Sequence, residues 1–367
     1  MKNVRNGSFD KLRTKPKVLV LIDGNAIIHR AYHALPKTMT TRCGEPTNAV
    51  YGFTTTLIKV LEDLKPNYIA ASFDLAGPTF RHQHFADYKA TRVKADQELY
   101  DQIPRVKEIV TAMEIPIYEK EGYEADDCLG TIVSKMSKSE CRNPNECQNL
   151  NDKCRNIEIY IVSGDKDIFQ LINGKVKVYS LRKGLSQLQI VDHNMIQKEY
   201  NLQPADFIDL KALAGDASDN IPGVPGIGPK TATELIQKFD TLEKLYEFLD
   251  QKSKIKNQPV SPMASRGGND NVKSKSEEIK PRIEELLIKH KDQAFMSQKL
   301  ATIHCDVPIE FDLEKCKWGE YDRDKLQKLF EELGFKSLLH RFGTMEIETG
   351  RRSTEEQKKK DEQLQLL

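Results

Sequence analysis

Residues 18–25, VLVLIDGN, decide the fold: an unbroken apolar run ends on an aspartate and a glycine. The same order recurs in YIAASFD, 68–74, and in IYIVSGDKD, 159–167. Short runs rich in Val, Ile and Leu read as strands over 18–22, 68–73 and 159–162, and helical segments such as 48–64 and 103–113 separate them. Strands alternating with helices imply parallel pairing, with both faces of the sheet covered. The expected fold is therefore α/β, a mostly parallel sheet flanked by helices. Open sheets of this kind bind ligands outside the carboxyl ends of their strands, where Asp23, Asp74, Asp165 and Asp167 fall.

Two further motifs add to these acids. GYEADD, 122–127, supplies Glu124, Asp126 and Asp127, and ALAGDASDN, 212–220, supplies Asp216 and Asp219. Glu124 and Asp127 are three apart and share one face of a helix; Asp216 and Asp219 repeat the spacing. Carboxylates repel one another, so gathering nine around one cleft is costly unless divalent cations are held there. The pattern points to a metal-dependent enzyme acting on phosphate esters. Each motif alone has a plainer reading: Asp23 before Gly24 and Asn25 as a helix cap or turn former, GDKD and GDASDN as turns, EADD as a helix start favoured by the macrodipole. Their joint placement at the ends of predicted strands favours the pocket.

Composition agrees with a soluble intracellular enzyme, expected in the cytoplasm. The 367 residues are 38% hydrophobic, enough for a full core and for about two domains as a soft prior. No apolar stretch is long enough to span a membrane, and the polar, basic start over 1–16 reads as a disordered arm without an h-region, which leaves an organelle address open. Seven cysteines, an odd number without a signal peptide, argue for thiols in a reducing compartment. The net charge of +1 is deceptive: setting the nine motif acids apart leaves 46 acids against 56 Lys and Arg, a surface able to attract phosphates.

IPGVPGIGPKTATELIQKF, 221–239, packs Gly223, Gly226 and Gly228 into a tight turn before an amphipathic helix. Such a turn sets backbone N–H groups beside the positive end of a helix dipole, with Lys230 at its start, which makes a phosphate cradle. The order is not that of a Walker loop, since Pro229 precedes Lys230 and Thr231; a plain connecting turn is the alternative. A helix-hairpin-helix of the GxGxKTA kind would grip duplex backbone without reading bases. Residues 80–107 interleave Arg81, Lys89, Arg92, Lys94, Arg105 and Lys107 with Phe80, Phe85, Tyr88 and Tyr100, a mixture that lets cations meet phosphates while rings stack on bases. The plainer reading there is a solvated helix with its aromatics in the core.

Taken in order, LIDGNAIIHRAYHA, SFD, FRHQHFADYKATR, GYEADD, SGDKD, LAGDASDNIPGVPGIGPKTA and QKLATI resemble the bacterial 5′-nuclease domain of DNA polymerase I, within the flap endonuclease superfamily. The resemblance runs from about 17 to about 342. It implies a PIN-like core over 17–200 with a helical arch near 76–110, and a helical DNA-binding lobe over 201–342 with a helix-three-turn-helix near 205–240. It further implies removal of 5′ flaps, RNA primers and terminal nucleotides with two Mg2+ or Mn2+ ions. By motif, Asp23, Asp74, Glu124 and Asp126 would hold one ion and Asp165, Asp167, Asp216 and Asp219 the other, with Asp127 beside both. Lys89 and Arg92 would stabilise charge on the phosphate, and Arg30, Tyr32 and Arg81 would orient the 5′ end. Tyr88, Gly223, Gly226, Gly228, Lys230 and Thr231 complete the expected DNA contacts.

The chain departs from the family pattern in places. Thr91 stands where YKANR has Asn, and Asp96-Gln97-Glu98-Leu99 replaces a Pro-Glu-Glu-Leu stretch. An insert near 138–156 carries Cys141, Cys147 and Cys154, whose spacing lacks CxxC and a nearby fourth ligand. A polar stretch near 252–280 reads as disordered, and 343–367 as a charged tail. DNA with a 5′ flap, nick or frayed end and an RNA-primer hybrid are the expected partners of a monomer, with a polymerase in cis or in trans; a stand-alone nuclease or a polymerase fragment would read this way. The rival readings are a catalytically silent flap-binding scaffold, against which all nine acids stand, and a PIN-type ribonuclease, which gives no reason for GIGPKTA.

Overall fold

The computed structural model describes residues 15–92, 95–138, 156–183, 187–256 and 279–342. Six strands, β1 (Lys17–Asp23), β2 (Tyr68–Ser72), β3 (Ile117–Tyr118), β4 (Ile157–Ser163), β5 (Val176–Lys183) and β6 (Gln187–Val191), form one sheet in the order β3-β2-β1-β4-β5-β6. All neighbours are parallel except β5 and β6. The three strands read from sequence are the central ones. β3 is too short to carry a pattern, and β6 pairs antiparallel at an edge.

β1 shows why its apolar run is unbroken. Leu19 and Leu21 enter the core on one face, while Val20 and Ile22 enter the core on the other, so alternate residues serve opposite sides of a fully covered strand. Helices Gly24–Ala34, Asn48–Leu64 and Gln97–Ala112 cover the second face, and Ala125–Lys138 covers the first. β2 lies to one side of β1 and β4 to the other, so the strand order reverses at β1 and opens a crevice at its carboxyl end. Gly24 is required there: a Cβ on it would stand 2.2 Å from the Phe73 ring, so only glycine lets a helix start directly at the end of β1.

Helices Asp206–Ala214, Pro229–Phe239, Leu242–Lys256, Pro281–Lys289 and Lys291–Ala301 enclose a separate core that includes Leu213, Ile236, Leu245 and Leu287. Three expectations of extent are corrected here. The segment 303–342, grouped by sequence with the helical lobe, returns to the sheet: Ile303, Val307 and Ile309 join one face, and Leu326, Phe330, Leu338 and Phe342 join the other. Gln97 to 110, assigned to the arch, is a core helix with Leu99, Gln102, Val106 and Ile109 buried. The helix ending at Lys256 occupies the start of the stretch read as disordered from 252. The N-terminal arm to residue 14, Lys94, the Cys141, Cys147 and Cys154 insert, the stretch from 257 to 278 and the tail from 343 lie outside the described residues. Among the described residues no helix is long and apolar enough to cross a membrane.

Candidate active site

The carboxyl ends of β1, β2 and β4 meet in one hydrogen-bonded edge. Asp23 caps the following helix by accepting from Ala26 N–H at 3.1 Å, and it also accepts from the Ser163 hydroxyl at 2.6 Å. The cap reading and the site reading of Asp23 therefore describe the same side chain. Asp74 accepts from Ala125 N–H at 2.7 Å, while its own N–H donates to Asn25 Oδ1 at 3.1 Å. This ties the ends of β1 and β2 to the start of the helix that carries Asp126 and Asp127. Asp165 N–H donates to Ser163 Oγ, and Asp167 N–H donates to Asp165 Oδ1, each at 3.0 Å, so the Gly-Asp-Lys-Asp turn closes on itself.

Burial makes Asp23, Asp74, Asp126 and Asp167 poor isolated anions. It pushes the Asp23 carboxyl up to about 7 against the hydrogen bonds from Ser163 and Ala26, and the nearby charges of Asp74 and Asp165 add to the rise. Burial likewise raises Asp74, and it raises Asp126 well above the carboxylate range together with the charge of Glu124. Asp167 is pushed up to about 6 by burial and by Asp165, with Lys211 opposing. Asp216 goes the other way: burial would raise it, but hydrogen bonds from Lys211 and Ser218 and the Lys211 charge hold it at about 2.

Cations stand between the acids. Lys89 Nζ lies 2.7 Å from Glu124 Oε1, Arg92 lies 2.5 Å from Asp219 Oδ1, and Lys211 pairs with both Asp167 and Asp216. Among the described residues no three acidic, histidine or cysteine side chains are gathered as a ready-made ion site. The buried Tyr88 hydroxyl is 3.2 Å from Glu124 Oε2 and 3.3 Å from Asp219 Oδ2, so a residue of each expected ligand set meets one phenol. All the acids offer hard oxygen donors, and several are buried close to like charges; that donor set fits a hard divalent cation.

Four of the expected site residues are buried and engaged by the fold. Asp127, fully buried, takes two bonds from Arg81 at 2.8 Å and accepts the N–H groups of Glu124 and His304, so its oxygens are engaged within the fold. Arg81, 2% exposed, also donates to the carbonyls of Leu300 and Thr302, so its guanidinium is held inside the fold. Tyr32 is 1% exposed with its hydroxyl on Asp96 at 2.8 Å, and Tyr88 is turned into the site; neither ring is open to a base. Arg81 and Tyr32 were assigned by the family resemblance and Tyr88 by a mixed basic and aromatic stretch, and burial cannot be read from either. Arg30 is half-buried at the end of β4, its guanidinium 3.6 Å from where a Cβ on Gly164 would stand.

The glycine turn is only partly a cradle. Gly223 (φ +60) and Gly226 (φ +87) occupy left-handed backbone, and Gly223 packs so closely on Gly215 that a Cβ would fall 2.2 Å from Gly215 N. The Gly223 N–H is consumed by Ser297 Oγ at 3.1 Å and the Val224 N–H by Leu213 O at 2.8 Å, so neither faces a phosphate. Gly228 is the N-cap of Pro229–Phe239, and Ala232 N–H returns to its carbonyl. The first-turn N–H groups of Lys230 and Thr231 then lie at the open end of the helix, where an α-helix leaves such groups without internal acceptors. Lys230 itself is exposed. Sequence reasoning missed Lys211, Ser163 and Asn25. Lys211 sits inside an ordinary helix five residues before Asp216, and nothing in that spacing marks it as the counter-charge of two acids.

The fold and the paired acid groups at its crevice are those of a phosphodiester-directed nuclease core joined to a helical lobe. A family model for the 5'-3' exonuclease N-terminal resolvase-like domain matches residues 18–201, and one for the 5'-3' exonuclease C-terminal SAM fold matches 202–324; the chain belongs to the 5'-3' exonuclease family. It is 38% identical over 330 residues to the DNA polymerase I of Bacillus subtilis (strain 168), covering 90% of this chain and 33% of that protein. It is 37% identical over 325 residues to the DNA polymerase I of Bacillus caldotenax, covering 89% and 32%. The chain thus spans about a third of the length of these curated relatives. The fold is shared with the T5 5'-exonuclease with bound zinc (TM-score 0.56, 18% identity, 86% of this chain and 98% of that one). It is shared also with the catalytic core of Rad2 in complex with DNA substrate (TM-score 0.51, 18% identity, 87% and 89%).

Proposed function

We propose that this chain is a structure-specific 5′-3′ exonuclease and flap endonuclease that hydrolyses phosphodiesters in 5′ flaps, frayed 5′ ends and RNA primers. The observation that carries the reading is the meeting of Glu124 and Asp219, one from each acid group, on the buried Tyr88 hydroxyl at 3.2 and 3.3 Å. Asp23, Asp74, Glu124 and Asp126 would hold one divalent ion and Asp165, Asp167, Asp216 and Asp219 a second, Mg2+ or Mn2+; when bound, such ions activate water and neutralise the leaving oxygen. Ser163 and Ala26 N–H hold the Asp23 carboxyl in place, and Asn25 and Ala125 do the same for the backbone and side chain of Asp74. Lys89 and Arg92, at the lip of the crevice, supply positive charge to the scissile phosphate. Lys230 and the adjoining helix start would hold the duplex phosphates beside the cut. We assign the sheet-bearing part, 17–200 with the returning 303–342, to chemistry and the helices between 206 and 301 to duplex binding. A soluble monomer acting beside a polymerase, in cis or in trans, completes the reading.

A 5′-labelled flap on duplex is expected to be cut in Mg2+ and left intact in excess chelator; equal products with and without metal would end the proposal. Lys89→Ala is expected to lower the single-turnover rate about a hundredfold, with flap affinity changed only a few-fold, because its charge matters most as charge develops on the phosphate. Equal losses in both would make Lys89 a binding residue. Lys230→Ala is expected to weaken duplex binding about uniformly across sequences and to make the slope of log K against log salt shallower by roughly 0.9, one released counterion. A titration of Asp165→Asn protein against duplex at several salt concentrations measures it, and an unchanged slope would leave this segment a structural turn.

A further inference from the structure

The turn over 85–92 does more than carry two cations to the lip of the crevice; it is fastened to the loop 216–220 of the helical lobe at several points. Lys89 N–H donates to Asp219 O at 2.9 Å, Asn220 Nδ2 donates to Asp87 O at 2.6 Å, and Arg92 Nε donates to Ser218 O at 3.3 Å. The ion pairs of Lys89 with Glu124 and of Arg92 with Asp219 add to these bonds. Lys89 (φ +57) and Asn220 (φ +55) both adopt left-handed backbone at the junction, a conformation costly for a lysine and held only by surrounding contacts. The hydrogen bonds run to backbone carbonyls, but the two ion pairs that fasten the turn use Glu124 and Asp219, acids that the proposed function assigns to ion binding.

We propose that this turn is an electrostatic latch closing the acid site in the absence of metal, and that divalent cations and the latch exclude one another. A divalent ion drawn to Glu124 and Asp219 competes with Lys89 and Arg92 for the same oxygens, and it repels their charges. Loading the site therefore releases both side chains, which become available to a phosphate only when the chemistry can proceed. Coupling is reciprocal: whatever loading does to the latch, the latch does to ion affinity. This inference rests on the proposed metal-dependent function.

Two measurements on the whole, DNA-free chain test it. Hydrogen exchange at the Lys89 amide, held by Asp219 O, is expected to quicken about tenfold or more when Mg2+ is added. Calorimetric titration with Mn2+ is expected to show about threefold tighter binding in Asn220→Gly, which removes one fastening bond, keeps every charge and tolerates the left-handed backbone. An Arg92→Gln variant is expected to bind Mn2+ more tightly still, since it removes a competing charge. Mn2+ bound with unchanged affinity in Asn220→Gly, with the Lys89 amide unaffected by Mg2+, overturns the latch and leaves the nuclease reading standing. Absence of any Mn2+ binding in the unmodified chain overturns both.

Discussion

Asp165→Asn, and separately Asp216→Asn, are expected to reduce flap cleavage about a thousandfold or more while leaving flap binding nearly intact. Each removes one charged oxygen from the proposed second ion site, and chemistry that relies on two clamped ions loses most of its transition-state stabilisation when one is weakened. The fold should tolerate both changes. Asp165 accepts one backbone bond, from Asp167 N–H, which an asparagine oxygen can still accept. At position 216 an asparagine keeps an acceptor for Ser218 N–H, and Lys211 keeps its partner Asp167. Binding should hold or improve slightly, because a negative charge leaves a crevice that phosphate must approach. Single-turnover rates in Mg2+, with affinity measured in Ca2+, give the two numbers. Near-normal turnover in saturating Mg2+ would remove these acids from the chemistry.

Arg81→Leu is expected to destabilise the chain by about 3–5 kcal/mol, the range for stranding one partner of a buried ion pair. The side chain is 2% exposed and Asp127 is completely buried, so the carboxylate left behind has no access to water. The carbonyls of Leu300 and Thr302 also lose their donors, which loosens the join between the helical lobe and the sheet. Adding Asp127→Asn to Arg81→Leu should restore part of the loss, since it discharges the site while its one amide oxygen still accepts from the N–H of either Glu124 or His304, which Asp127 serves with separate oxygens. Thermal or urea unfolding decides the matter. A variant that melts normally but binds flaps poorly would return Arg81 to the role of orienting a 5′ end.

The sequence by itself determined the central sheet and the inventory of acids. VLVLID, YIAASFD and IYIVSGDKD are local patterns: a strand buried on both faces must be apolar at every position, and the residue after it falls at a sheet end wherever the strand lies. The glycine turn was legible for the same reason, since left-handed backbone at Gly223 and Gly226 is a local demand. Tertiary structure alone decided which polar side chains remain open to a ligand. Arg81, Tyr88 and Asp127 sit in motifs that look solvent-facing, yet burial depends on Leu300, Thr302, His304 and Asp219, between 131 and 221 residues away in the bonded pairs. Lys211 gained its place only when a helix of the second lobe set it between Asp167 and Asp216. The return of 303–342 to the sheet was hidden for a related reason: its apolar residues look alike whichever core receives them, and the choice between cores is made by contacts remote in sequence.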